Sequence, residues 1–402
     1  MPYQPGAISL TGNPLACSKA LGQYLFNRGQ SEEAVTLWTS ALAVLDEADV
    51  SHRETRANLM ASLSYEYEGL GRLDEAEELA ERGLALLRPH RGGRETIFGM
   101  FNCLLTLAVV AQRRGQFRRA IAFLHEQEAL GLFRDSGGQL SQGRHLNNLG
   151  LLEMSAGNYL AARVCLQRAL EHNRQDHNVR GVVTSLFLLG DAHFYAGEAE
   201  TAKRYYYEAT ALVRREGLGW GNDDFALEHL GKAALALGDF SEAQSVAHEL
   251  LEKHPSPDAF HGGALELLGR VATAQGRFEQ ATLYLGQVAQ IYLERRDDLN
   301  LGQLGSLQDV LLAFTELWVK EGRYEQAAAV LEFLLRHLYE AYARAWAEQL
   351  LDTVRLALSA EDFRAAVCGG GELSLDITWR FLTGNSALAH SPQASRHPIR
   401  AD

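Results

Sequence analysis

The chain has 402 residues, 47% of them hydrophobic, and carries 38 basic against 51 acidic side chains, a formal charge of −13. This acidic balance favours solubility and argues against a general nucleic-acid binder, whose domains are usually basic. The four cysteines are widely scattered, which argues against a disulfide or zinc framework and indicates small buried hydrophobes.

Residues 1–14 are predicted to be an extended lead-in, because Pro2, Pro5 and Pro14 interrupt regular structure. The lead-in has no basic start followed by an apolar core, so we predict no signal peptide. No later run approaches the roughly 18 apolar residues that a membrane span needs, and we expect no membrane contact. The expected location is the cytoplasm.

A motif, Gly-x-aromatic-x-x-Ala, then recurs along most of the chain. A weaker copy, without the glycine, starts at Glu361. Successive glycines are 42, 44, 42, 40, 41, 38 and 46 residues apart. A period in this range is typical of a stacked repeat array rather than of one globule, and we predict one array over residues 15–367. The motif glycines are Gly29, Gly71, Gly115, Gly157, Gly197, Gly238, Gly276 and Gly322.

Each repeat is predicted to be a hairpin of two helices. In the fourth copy, residues 142–156 and 160–173 have apolar side chains at helical spacing, and Gly157 supplies a left-handed turn between them. Helices approach closely only where side chains are small, so we expect the small residue seven positions before the glycine and the motif alanine to mark the helix crossing. A larger residue nine positions after the glycine should fill the space between hairpins. These larger residues are Trp38, Leu124, Leu166, Tyr206, Leu285 and Leu331.

The repeat pattern ends before three glycines at 369–371. A helix over 341–358, with the segment around Phe363, is expected to cap the array. Within the C-terminal segment 368–402, alternating apolar residues over 372–382 favour a short strand or a docking segment. The remainder, from Thr383, is predicted to be disordered.

The order of small residue, turn glycine, aromatic and alanine resembles the tetratricopeptide repeat family over roughly residues 15–367. The units are longer than the usual roughly 34 residues, and are similar to the extended repeats of kinesin light chains and of Rap-type and MalT-type bacterial regulators. The resemblance implies an all-α, right-handed superhelix of eight to nine antiparallel helix hairpins. It also implies a binding module with a concave groove for a partner's peptide segment or helix.

The same resemblance implies that the second, fifth, ninth and twelfth positions of the first helices face the groove. The residues predicted to contact a partner are Asn58, Tyr65, Asn102, Arg144, Asn147, Leu151, Thr184, Phe187, Asp191, Phe194, Phe225, Glu228, Lys232 and Arg270. The same rule places Glu266, Asp309 and Glu316 on this face.

Two groups on this face carry specific hypotheses. Asn58, Asn102 and Asn147 offer amides that can clamp the main chain of an extended peptide, although solvated or intra-repeat polar positions explain them equally well. A second group is the candidate hydrophobic anchor, with inter-repeat packing as the favoured alternative for its first and last members. Its residues are Phe187, Asp191, Phe194, Tyr195 and Phe225.

Three functional classes stay open at this point. The first is a protein-interaction scaffold, the second is a peptide-responsive regulator, and the third is an enzyme subunit. The third ranks last because the sequence has no nucleophile–base pair, cofactor loop or metal spacing; His248 and His254, for example, are six positions apart, and one helix face needs three or four. We therefore predict no metal and no cofactor, a protein or peptide partner, and no direct nucleic-acid contact.

Overall fold

The computed structural model describes residues 21, 31–45, 52–89, 93–136, 141–217, 222–294 and 301–370. All regular structure among them is helical, which confirms the all-α prediction. The lead-in over 1–14, the segment 372–382 and the tail beyond it lie outside the described residues. So does the first motif glycine, Gly29.

The helices form two compact units, a first unit (Met1–Ala156) and a second unit (Gly157–Asp402). The first unit contains α1 (Ser31–Val44), α2 (Arg53–Gly69), α3 (Leu73–Leu87), α4 (Arg94–Arg113), α5 (Phe117–Ala129), α6 (Leu132–Asp135) and α7 (Gln142–Ser155). The second unit contains α8 (Tyr159–Gln175), α9 (Val179–Phe194), α10 (Ala199–Glu216), α11 (Asn222–Ala236), α12 (Phe240–Lys253), α13 (Ala259–Ala274), α14 (Phe278–Glu294), α15 (Leu301–Glu321), α16 (Tyr324–His337), α17 (Ala341–Ala357) and α18 (Ala360–Gly370).

The motif glycines end the first helix of each hairpin in a left-handed conformation. From Gly71 to Gly322 their φ angles lie between 68° and 83°. At the first of these turns the Gly71 N–H donates to the Glu68 carbonyl at 3.0 Å and the Arg72 N–H donates to the Tyr67 carbonyl at 2.8 Å. This Schellman pair satisfies carbonyls that the helix end would leave without donors. The same two bonds surround Gly115, Gly197, Gly238, Gly276 and Gly322.

The motif alanines and their small partners lie where helices cross, as predicted. A Cβ on Gly190 would lie 2.4 Å from the ring of Tyr206 in the same hairpin, and a Cβ on Gly269 would lie 2.8 Å from Leu285. The larger residues nine positions after the glycine are buried as well. The motif is therefore a packing device. The alanines without exposed surface are Ala34, Ala76, Ala120, Ala162, Ala202, Ala243, Ala281 and Ala327.

The second helices of successive hairpins are joined by ion pairs at their surfaces. In the second unit Arg214 of α10 pairs with Glu249 of α12 at 2.8 Å. In the first unit Arg88, just after α3, pairs with Glu126 of α5 at 2.5 Å. Exposed pairs of this kind contribute little stability, so apolar packing holds the hairpins together and the ion pairs align them.

Helix α17 lies where the capping helix was predicted, and both α17 and α18 pack against α16. Val354 of α17 is buried, and Phe363 of α18 packs against the same core as Leu331 of α16. The predicted division into lead-in, single array and C-terminal segment stays a prediction.

The prediction that no segment has the length and apolar composition of a membrane span is wrong. Within the described residues, Glu95–Arg113 of α4 is long and apolar enough to cross a membrane. Its apolar window is 61% buried inside the fold, as the core helix of a packed array is.

Candidate functional site: the first-helix faces of the two units

In the first unit three of the predicted groove positions carry neutral amides, and the others are Tyr65, Arg144 and Leu151. Asn102 of α4 is half-buried, whereas Asn58 of α2 and Asn147 of α7 are buried. Asn58 is turned into the contact between α2 and α4, because a Cβ on Gly99 would lie 2.4 Å from its Oδ1 atom. Asn58 therefore acts in packing, and Asn102 is the most accessible of the three amides.

Behind this face lies a buried network that sequence patterns did not indicate. The Gln127 side chain donates from Nε2 to the Phe101 carbonyl at 3.0 Å, and its Oε1 lies 3.1 Å from Nδ1 of His145. The His145 ring also packs on Phe133 with centroids 4.5 Å apart. A histidine on an apolar helix face gives no signal of such a network until its neighbours in space are known.

In the second unit, aromatic side chains from successive first helices meet. The ring centroid of Phe225 on α11 lies 6.4 Å from that of Phe187 on α9 and 4.8 Å from that of Phe260 on α13. Phe225 is nevertheless 51% exposed. An aromatic that is supported on two sides and open on a third has the form of an anchor surface for a partner.

Beside the aromatics, Asp191 of α9 is fully engaged within the unit. It accepts a hydrogen bond from the Tyr206 hydroxyl at 2.7 Å, and Nδ1 of His229 lies 2.7 Å from the same carboxylate oxygen. Burial, followed by the charge of Asp191, raises the pKa of Tyr206 well above its ordinary value. The tyrosine therefore stays a donor, and Asp191 orients the interior rather than a ligand.

Further along the same face, a lysine is surrounded by carboxylates. Nζ of Lys232 lies 2.8 Å from Oε1 of Glu228 on the next turn of α11. Burial alone would lower the pKa of Lys232, but Glu228, Glu266 and Asp309 together hold it well above its ordinary value. Burial raises the pKa of Glu266 from 4.5 to about 7, and burial also raises the pKa of Asp309.

Arg270 of α13 is the second cation of the face. Its Nη1 atom lies 4.0 Å from Glu266, its Nε atom lies 3.5 Å from Glu316, and its guanidinium stands 4.4 Å from the ring centroid of Trp346. Between 16% and 24% of the side-chain surface of Glu228, Lys232, Arg270 and Glu316 is exposed. The charged face is thus largely desolvated but not sealed.

The repeats themselves identify the family in two places. Residues 141–215 match one tetratricopeptide repeat model and residues 229–296 match another. These two ranges of the chain are tetratricopeptide repeats. No curated protein matches it significantly in sequence.

Solved structures share the fold of this chain at low sequence identity. The apo form of RapI has a TM-score of 0.54 and 15% identity, and the match covers 71% of this chain and 100% of RapI. A tetratricopeptide repeat protein from Parabacteroides merdae ATCC 43184 has a TM-score of 0.51 and 15% identity, over 74% of this chain and 99% of that one. A Rap protein complexed with competence and sporulation factor has a TM-score of 0.52 and 13% identity, over 88% and 100%.

The structure thus brings together part of the predicted groove set. Phe187, Asp191, Phe225, Glu228, Lys232 and Arg270 lie in the contacts described above. Phe194 is half-buried and meets Tyr195 edge to face, with centroids 5.5 Å apart. The Thr184 hydroxyl donates to the Arg180 carbonyl of its own helix at 3.0 Å. In the first unit Tyr65 and Arg144 are exposed and Leu151 is half-buried.

Residues of α17 also lie on this face, and the sequence motif did not predict them. Tyr342 and Trp346 of α17, with Glu340 just before it, lie against residues from the beginning of the unit and from α13. Their spacing matches the hairpin pattern, but no pattern shows that hairpins so distant in sequence meet.

The shifted pKa values of the titratable groups on this face have a structural explanation. Lys232 and Arg270 are each held by carboxylates, and structural ion networks shift pKa values in the same way as active sites. Burial raises the pKa of the Cys103 thiol to about 12, so this cysteine is not a nucleophile. The part of the chain that the structure describes contains no group of three or more histidine, cysteine or acidic side chains able to hold a metal ion.

Proposed function

We propose that this tetratricopeptide repeat protein is a non-enzymatic interaction module that binds a segment of a partner protein through the first-helix faces. The repeats support a protein-interaction role, and the residues that build them are buried and unavailable. Binding is therefore assigned to the variable first-helix positions between them. In the first unit Asn102, the most accessible of the three amides, would contact the partner's main chain.

The observation that carries this proposal is the half-exposed aromatic cluster around Phe225. A partly exposed phenylalanine on an ordered aromatic support costs little conformational entropy on binding and offers a large apolar area. The charged residues on α11 and α13 then form a polar rim along the same face. This arrangement fits a binding surface in which a few anchors supply most of the affinity.

Affinity capture with crosslinking tests the proposal. The wild type, Phe194→Ala, Asn102→Ala and the control Leu283→Ala are used as baits. Leu283 is 68% exposed on a second helix, α14. We expect the wild type and the control to crosslink one specific partner. The two first-helix variants should lose it. Equal recovery by all four baits would move the site away from the first-helix faces.

A peptide-responsive regulator is the second candidate. It rests on one comparison, because a Rap protein with the same fold was solved in complex with competence and sporulation factor, and that match spans 88% of this chain. Calorimetry with short peptides, together with solution scattering, distinguishes it from a plain scaffold. A regulator binds a free peptide and changes its radius of gyration, whereas a scaffold binds its partner with no such change.

A further inference from the structure

The second unit contains a contact between helices that are not neighbours in the repeat array. In such arrays each hairpin touches its neighbours. Here the ring of Tyr195, directly after α9, stacks on Tyr342 at the start of α17, with centroids 4.2 Å apart and planes 21° apart. Beside it, a Cβ on Gly157 would lie 3.1 Å from the Cβ of Ala341. The end of α9 and the start of α17, which are far apart in sequence, therefore meet across the first-helix face of this unit.

Carboxyl groups outnumber cations beneath this contact. By element, the groups are Asp191 of α9 with Tyr195 after it; Glu228, His229 and Lys232 of α11; Glu266 and Arg270 of α13; Asp309 and Glu316 of α15; and Glu340 with Tyr342 of α17. Glu266 is only 4% exposed and accepts no hydrogen bond from the described part of the chain. Two cations and one histidine therefore face six carboxyl groups in a desolvated space.

The direction of titration follows from this crowding. Burial, reinforced by neighbouring carboxylates, raises the pKa of Glu266 to about 7, and the same causes raise the pKa of Asp309 and of Glu340. A carboxyl group with a raised pKa binds its proton more tightly in the closed arrangement than in an open, hydrated one. Closure is accordingly favoured at lower pH, and its advantage is lost as pH rises through the raised pKa values.

We propose that the contact between Tyr195 and Tyr342 is a clasp that holds the first-helix face of the second unit closed and releases when the carboxyl groups beneath it lose their protons. Release separates the tyrosine rings and hydrates the carboxylates, which removes their mutual repulsion. The clasp makes the face a gated surface. Its biological meaning rests on the proposed function, because a partner would have to compete with the clasp.

Hydrogen exchange of the unliganded full chain tests the clasp separately from binding. Peptides covering residues 191–198 and 338–346 report its two sides, and residues 202–213 of α10 report the fold of the unit. After correction for the intrinsic pH dependence of exchange, we expect protection of both clasp peptides to fall at least about tenfold between about pH 6 and about pH 8.5. Protection that is unchanged over this interval would overturn the proposal, whatever the binding experiments show.

Three variants complete the test. Glu266→Gln keeps the shape and removes the charge, so both clasp peptides should stay protected at the higher pH. Tyr342→Ala should deprotect the 191–198 peptide at both pH values, whereas Tyr339→Ala, at a 56% exposed tyrosine nearby, should not. The clasp is measured by exchange protection and the proposed function by partner capture. A variant that loses one and keeps the other therefore separates the two proposals. If Tyr342→Ala also deprotects residues 202–213, this variant has disturbed the fold of the unit. The pH series of the wild type and the Glu266→Gln variant then decide whether the clasp exists.

Discussion

The two units use one repeat to build first-helix faces of different chemistry. At the predicted groove positions the first unit carries the neutral amides Asn58, Asn102 and Asn147, and its one charged residue there, Arg144, is exposed. The second unit carries Asp191, Glu228, Lys232 and Arg270 at the corresponding positions. The same turn glycines and buried alanines support both sets. The motif therefore fixes the backbone, and the face is free to become either an amide row or a desolvated ion cluster.

The largest change in the free energy of unfolding is expected when the ion cluster of the second unit loses a cation. Lys232→Ala leaves Glu228, Glu266 and Asp309 without their shared partner, and removing one member of a buried pair costs about 3–5 kcal/mol. Urea unfolding should show this loss at pH 7, and Lys320→Ala, at an exposed lysine of α15, should change nothing. A small effect of Lys232→Ala would mean that water solvates the cluster.

A second prediction concerns pH and has the opposite sign. Because the pKa of Glu266 rises from 4.5 to about 7 on folding, the folded chain holds a proton that the unfolded chain releases, and stability falls as pH rises through this interval. Glu266→Gln should therefore stabilise the protein on the order of 1–3 kcal/mol near pH 8 and have little effect near pH 4. Thermal unfolding at both pH values measures it, with Glu279→Gln, at an exposed position of α14, as the control. Destabilisation by Glu266→Gln near pH 8 would contradict the account.

A smaller loss is expected from the hydrogen bond behind the aromatic cluster. Tyr206→Phe keeps the buried ring and removes the donor to Asp191, which should cost about 1–2 kcal/mol. Tyr205→Phe, on the neighbouring position where the ring stacks on His193, is the matched control. Equal unfolding midpoints for the two variants would show that His229 alone satisfies the aspartate.

The smallest effect on stability is expected in the first unit. Asn102→Ala removes a half-buried amide and should change the free energy of unfolding by no more than about 0.5 kcal/mol. Partner binding should nevertheless weaken, because the amide contributes a main-chain contact in the proposed clamp. Unchanged affinity with unchanged stability would remove the clamp from the proposal.

Most of the scaffold was predictable from sequence because its determinants are local. A glycine at a fixed place sets each turn, and a small residue and an alanine set each crossing, so the hairpins follow from the motif. Asn58 was not predictable in this way. The repeat pattern places it in the groove, but its side chain packs against Gly99 of the neighbouring helix. The contact between Tyr195 and Tyr342 was not predictable either, because small rotations between hairpins add up over the unit and no single repeat encodes where its ends meet.

Binding through the variable first-helix residues is the central claim, and one titration tests it most directly. The purified partner segment is titrated into the wild type, Phe225→Ala and Leu283→Ala, which truncate exposed apolar side chains on a first and a second helix. We predict that Phe225→Ala binds at least about tenfold more weakly, or about 1.4 kcal/mol, and that Leu283→Ala binds as the wild type does. Equal affinities for the two variants, or a larger loss with Leu283→Ala, would contradict the claim.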